Sequence, residues 1–163
     1  MTTLQATSAD HHARLIPHVD RLLVVAEMVG TVDCSALHAM FEDEYRFLVG
    51  QLMPHVQAIE GALYGRLEAL MDGRHSMAPM RQEHVAMAHL VEELGRYREH
   101  AEGCRWSAIE GMALRRALYR LHAILKVHLA EEELYLGVLE QNLSEDEKAR
   151  LARAIDHAMT EPL

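Results

Sequence analysis

The sequence predicts an all-α protein, an up-down-up-down four-helix bundle followed by a short C-terminal fifth helix. Three observations predict it. Apolar residues recur every three or four positions over four long stretches, the spacing of one buried helix face. Aromatic residues make up only 5% of the chain, and alternating β-branched runs are absent. Ser107-x-x-Glu110 and Ser144-x-x-Glu147 have the pattern of capping boxes that open helices.

The first helix is expected from about Ser8 to Val29, with Ser8 as its cap and a stripe through His11, Leu15, His18, Leu22, Val25 and Val29. Gly30-Thr31-Val32-Asp33 breaks it. The second runs from about Ser35 to Met71, with Leu48, Leu52, His55, Ile59, Leu63 and Leu67 on its apolar side, and ends at Asp72-Gly73-Arg74. The third starts near Ser76, with Pro79 in the first turn and Glu83 soon after, and faces inward with Met80, His84, Met87, Val91 and Leu94. The fourth opens at the Ser107 box and carries Leu114, Leu118, Leu121, Leu125, His128, Glu132, Tyr135 and Leu139. The fifth opens at the Ser144 box and runs to about Met159. Short connections favour antiparallel neighbours, and no linker divides the chain, so residues 1–163 read as one domain.

A chain of 163 residues that is 50% hydrophobic is long enough for a real core. Its net charge is −9 with histidine neutral, and no basic face stands out, which argues against nucleic acid and anionic membrane as partners. Cys34 and Cys104 are far apart and lack metal-ligand spacing, so a reducing cytoplasm is the simpler setting. The N-terminus has no basic-then-apolar leader pattern, and no apolar run approaches the roughly 18 residues that span a bilayer.

Twelve histidines give the sequence its chemical character. Each long helix offers one to the interior: His18 (with His11 or His12), His55, His84 and His128. Glu132 follows His128 by one turn on the same stripe, so both side chains can point at one ion. Buried imidazoles and carboxylates pair with each other or hold metal, because an unpartnered buried charge is costly. Glu60 follows His55 by five residues, about 140° around an ideal helix, and is a weaker companion. Mixed imidazole and carboxylate donors suit iron, manganese or zinc better than calcium or magnesium.

Other residues carry less. His89 and His122 fall out of register, and His38, His75, His100 and His157 read as exposed. The scattered methionines read as core filler. Glu131 and Glu133 read as a solvated face around Glu132. Leu15-Ile16-Pro17-His18-Val19 echoes Leu52-Met53-Pro54-His55-Val56. A proline inside a helix frees a carbonyl one turn earlier, so both prolines are expected to shape the backbone beside a core-facing histidine. Tyr45, Tyr64, Tyr119 and Tyr135 are candidates to lie near a metal. No Gly-rich phosphate loop, HExxH or Gly-x-Ser-x-Gly elbow is present.

His128-Leu-Ala-Glu-Glu132, Glu83-His84, Pro54-His55-Val-Gln-Ala-Ile59-Glu60 and Asp10-His11-His12 together resemble the hemerythrin-like, HHE cation-binding domains, from about Asp10 to Leu143. The resemblance implies a non-heme di-iron centre in a four-helix bundle, with His12 at the first-helix ligand position. It implies metal held by His12 or His18, His55, Glu60, His84, His128 and Glu132, as one or two iron ions, or manganese or zinc. It further implies binding or sensing of O₂, peroxide or NO, with an oxidative iron enzyme and a metal-free interaction module as alternatives. Two departures stand out: Ile59 occupies the position of the glutamate that commonly bridges the metals, and Ala88 that of a second third-helix histidine.

Overall fold

The computed structural model describes residues 4–72, 74, 76–100 and 106–160, without the side chains of 4–9, 34, 99–100 and 158–160. Among the described residues every regular element is helical. Helix α1 is Leu4–Met28. Helix α2 spans 34–70 and is continuous, but two π turns interrupt its α-helical bonding: Leu48–Leu52 and Glu60–Tyr64 lie between the α-helical pieces Cys34–Phe47, Met53–Ile59 and Gly65–Leu70. Helix α3 is Ala78–His100, α4 is Ala108–Asn142 and α5 is Glu145–Thr160.

The helix ends follow from local chemistry. Asp33 accepts the Ala36 N–H at 3.1 Å and so caps α2. The Ser107 hydroxyl accepts the Glu110 N–H while the Glu110 carboxylate accepts the Ser107 N–H, the full reciprocal box. At α5 the Glu147 carboxylate takes both the N–H and the hydroxyl of Ser144. Gly30, with φ of 80°, turns the chain out of α1. Arg115 of α4 donates to the Ala26 carbonyl in the last turn of α1 and to the Val29 carbonyl just beyond it. Helix α1 begins at Leu4, so Ser8 lies within it rather than capping it.

The early part of α1 meets the late part of α4 through His12 and Glu132, and its end meets the start of α4 through Arg115, so the two run in opposite directions. Helices α2 and α3 do the same: Glu42 pairs with Arg98, and Glu68 with Arg81. The α1 stripe differs from expectation by one residue. His12, Leu15, Val19, Leu22, Val25, Ala26 and Val29 are buried, while His11 and His18 are not. Leu15, Leu22 and Val29 are compatible with either flank. Helix α4 covers the His12–Val19–Ala26 flank and so decides it.

The core has two apolar layers. One contains Leu22, Leu52, Val56, Met87, Leu125 and Leu129. The other contains Ile59, Leu63, Leu67, Met80, Leu136 and Leu139, closed by Leu151 and Ile155 of α5. Near where the two layers meet along α2, α3 and α4, and early in α1, stand the buried polar residues His12, His55, His84, His128 and Glu132. No helix among the described residues is long and apolar enough to cross a membrane. His75 and Cys104, and the side chains of Cys34 and His100, lie outside the described residues.

Candidate metal centre

His12 of α1, His55 of α2 and Glu132 of α4 converge, with one possible ligand atom from each within 4.8 Å of the others. His12 Nε2 lies 3.2 Å from Glu132 Oε1. His55 Nε2 and His128 Nε2 stand 3.6 and 3.8 Å from Glu132 Oε2, beyond hydrogen-bond reach. On the far side of His128 a second group forms. His84 Nε2 is 3.1 Å from His128 Nε2, and the Tyr64 hydroxyl is 2.9 Å from His84 Nε2. Glu132 thus stands between two imidazole pairs.

The outward nitrogens of three of these rings face carboxylates. His84 Nδ1 donates to Glu60 Oε2 at 2.6 Å, His128 Nδ1 to Glu83 Oε2 at 2.8 Å, and His12 Nδ1 to Glu133 Oε1 at 3.2 Å. A neutral ring whose Nδ1 carries the hydrogen presents a lone pair on Nε2. For His84 and His128 these bonds therefore aim the Nε2 lone pairs inward, as carboxylates bonded to metal-bound histidines do, whereas His12 Nε2 faces a Glu132 oxygen. His84 and His128 oppose two such lone pairs, which repel unless a cation sits between them.

The geometry fits an ion. Donors on adjacent positions around a metal with bonds of about 2.0–2.2 Å stand about 3–3.5 Å apart. The separations of 2.9, 3.1, 3.2 and 3.6 Å fall in or beside that range. Glu132 Oε2 is buried and accepts no hydrogen bond of normal length. Such an orphaned acceptor is costly in a protein interior, and a bound cation would satisfy it.

Burial holds His84 and His128 below the usual histidine pKa, which keeps them neutral and able to ligate. Burial also works against charge on Glu132 and His12. Their mutual bond, with His55 acting on Glu132 and Glu133 on His12, outweighs it. Glu132 stays well below the carboxylate range, and His12 sits above the usual histidine value. Burial, reinforced by Glu132, Glu60 and Glu83, pushes the Tyr64 phenol up.

Of the residues singled out in the sequence, His12, His55, His84, His128 and Glu132 are brought together. Glu60 is not among the converging atoms; it holds the outer nitrogen of His84 and is half-exposed. His18 is elsewhere, stacked on Phe47 at 4.1 Å with Nδ1 3.3 Å from Glu44. The proline echo therefore holds for the backbone only at Pro54. There the Met53 N–H reaches back to Leu48 O and the turn widens. His89 and His157 are exposed, His38 is half-buried, and His122 faces Asp20. Glu83, Glu133 and the place of Tyr64 were missed. Glu83 adjoins His84 yet serves His128, and Glu133 looked like solvated surface.

The family model of the hemerythrin HHE cation-binding domain matches residues 4–159, nearly the whole chain. No curated protein and no solved structure matches it significantly. With a buried His/Glu cluster of metal-ligand type on three helices and a family match of that length, the chain belongs to the hemerythrin HHE cation-binding domain family.

Proposed function

We propose that this chain is a non-heme iron protein whose single domain, an up-down-up-down bundle, binds or senses O₂, peroxide or NO in the cytoplasm. His12, His55 and Glu132 would hold one ion, and His84 and His128 a second, with Glu132 shared. The observation that carries the reading is the place of Glu132, a buried carboxylate flanked by His12, His55 and His128, with one oxygen lacking a hydrogen bond. Bound iron would supply the redox chemistry and an open coordination position. The chain's own part is to orient the imidazoles through Glu60, Glu83 and Glu133, and to keep bulk water out with Leu52, Val56, Ile59 and Leu136 on either side.

Binding is favoured over turnover because Glu60, Glu83 and Glu133 each bond the outer nitrogen of a histidine and are thereby committed to positioning. The test is anaerobic loading with Fe²⁺, metal analysis, and optical spectra before and after O₂, peroxide or NO. Two iron ions per chain with a spectral change on gas addition are expected. Failure to bind Fe²⁺, Mn²⁺ or Zn²⁺ at neutral pH would overturn the reading. Sustained peroxide consumption by the loaded protein would replace binding with catalysis.

A further inference from the structure

We propose that Tyr64 is itself a ligand, with its phenol oxygen completing the second ion position beside His84 and His128. This deepens the reading above and rests on it. Tyr64 is the largest side chain buried at the layer boundary, 1% exposed, and its hydroxyl is 2.9 Å from the nitrogen that His84 turns inward. The Tyr64 hydroxyl, His84 Nε2 and His128 Nε2 follow one another at 2.9 and 3.1 Å, the edge length of a coordination polygon.

The backbone places the residue there. In a regular helix position i+5 points about 140° away from position i. The π turn Glu60–Tyr64 inserts one residue, so the chain returns to the face of Ile59 at Tyr64. Both Ile59 and Tyr64 are buried, and Glu60 between them reaches the solvent side of His84. Arg81 lies over the Tyr64 ring at 5.4 Å and adds a cation–π contact that steadies it.

Charge argues in the same direction. Helix α2 brings to this layer an imidazole at His55 and an apolar Ile59, so the inner carboxylates reduce to Glu132. Two divalent ions beside one carboxylate leave a large excess of buried positive charge. Tyr64 is the acidic group on α2 that touches the inward nitrogen of His84, Glu60 being taken up by the outer one. On uptake of the ion its O–H bond breaks, an oxygen–metal bond forms, and the proton leaves to solvent. No electrons move in that step.

The test loads wild type, Tyr64→Phe and Tyr135→Phe with Fe²⁺ and oxidises each in air to Fe³⁺. Tyr135 is the control because it also lies near Glu83. Wild type and Tyr135→Phe are expected to show a visible phenolate-to-iron charge-transfer band. Resonance Raman excitation in that band should enhance tyrosinate ring modes. Tyr64→Phe should lose both and bind the second iron about tenfold or more weaker, with the first iron retained. Iron-loaded wild type without the band would overturn the ligand role while leaving the iron reading intact. A band that survives in Tyr64→Phe would overturn it equally. No iron binding by wild type would instead overturn the underlying reading. If Tyr64→Phe does not fold, ring modes in Tyr135→Phe still support the proposal, and their absence in wild type still refutes it.

Discussion

His84 Nε2 and His128 Nε2 face each other across 3.1 Å while their outer nitrogens are held by Glu60 and Glu83. Each carboxylate fixes the hydrogen on the outside of its ring, so the inside of the pair is built from acceptors. An apolar core has no use for that arrangement, whereas a cation between the rings turns its repulsion into attraction.

The first prediction follows from that geometry. Glu83→Gln keeps a side chain of the same size beside His128 but replaces the charged acceptor with a neutral amide. The ring loses its charge-assisted partner, and its inner nitrogen becomes a weaker base. Metal affinity should fall by about 10–100-fold, with little change in the melting temperature of the metal-free protein. Isothermal titration with Mn²⁺ or Zn²⁺ measures it. An unchanged affinity would show that Glu83 is a surface ion pair without influence on the site.

A second prediction separates inner from peripheral residues. Glu132→Ala removes the one carboxylate flanked by both imidazole pairs, so it should abolish both ions. His128→Ala should mainly weaken the ion shared with His84. His157→Ala and His38→Ala should leave the metal count unchanged, since His157 is exposed and His38 is outside the cluster. Equal losses in all four variants would mean that the buried cluster is not where metal binds.

Much of this was readable from spacing. His128 and Glu132 share a stripe because they are one turn apart, and the Ser107 box set the start of α4 at Ala108. Two things were not readable. The choice among His11, His12 and His18 depends on which flank α4 covers, and Leu15, Leu22 and Val29 are compatible with both. The π turns of α2 shift the hydrogen bonding by one residue while barely changing the apolar spacing. Glu60 and Tyr64 therefore could not be placed by an ideal-helix angle. Glu83 and Glu133 serve rings on other helices, and such pairings leave no trace in local sequence.

The third prediction concerns Glu44, the buried carboxylate outside the cluster. It is 1% exposed and faces Arg21 at 2.8 Å and His18 at 3.3 Å, with Asp43 nearby. Burial pushes its pKa up, and Arg21 and His18 only partly offset this. A carboxyl whose folded pKa exceeds its unfolded value binds more protons in the native state. Its contribution to stability is therefore present below the unfolded pKa and declines as pH rises through the folded one. Glu44→Gln removes that decline. Its melting temperature should exceed wild type at neutral pH by about 2–4 °C, for about 1 kcal/mol in a chain of this size. The two should converge in acid. A variant that is less stable at neutral pH would show that the Arg21 and His18 contacts outweigh the burial.

The last prediction concerns Ile59, 2% exposed in the apolar layer next to the cluster and one turn after His55. Ile59→Glu would place a carboxylate on the His55 face, where relatives of this family are expected to carry one. In metal-free protein an anion has no partner there that is not already engaged, because His12 and His55 face Glu132. The substitution should cost about 2–3 kcal/mol or more. With Fe²⁺ present the cost should shrink, since an ion that binds only the folded state adds stability in proportion to its affinity. The expected signature is a larger iron-induced rise in melting temperature for Ile59→Glu than for wild type. If Tyr64 holds the second ion, the new carboxylate competes with it, and the phenolate band should weaken as the iron is taken over. An unchanged iron-induced shift together with an unchanged band would mean that Ile59 faces only the apolar layer formed with Leu63 and Leu136.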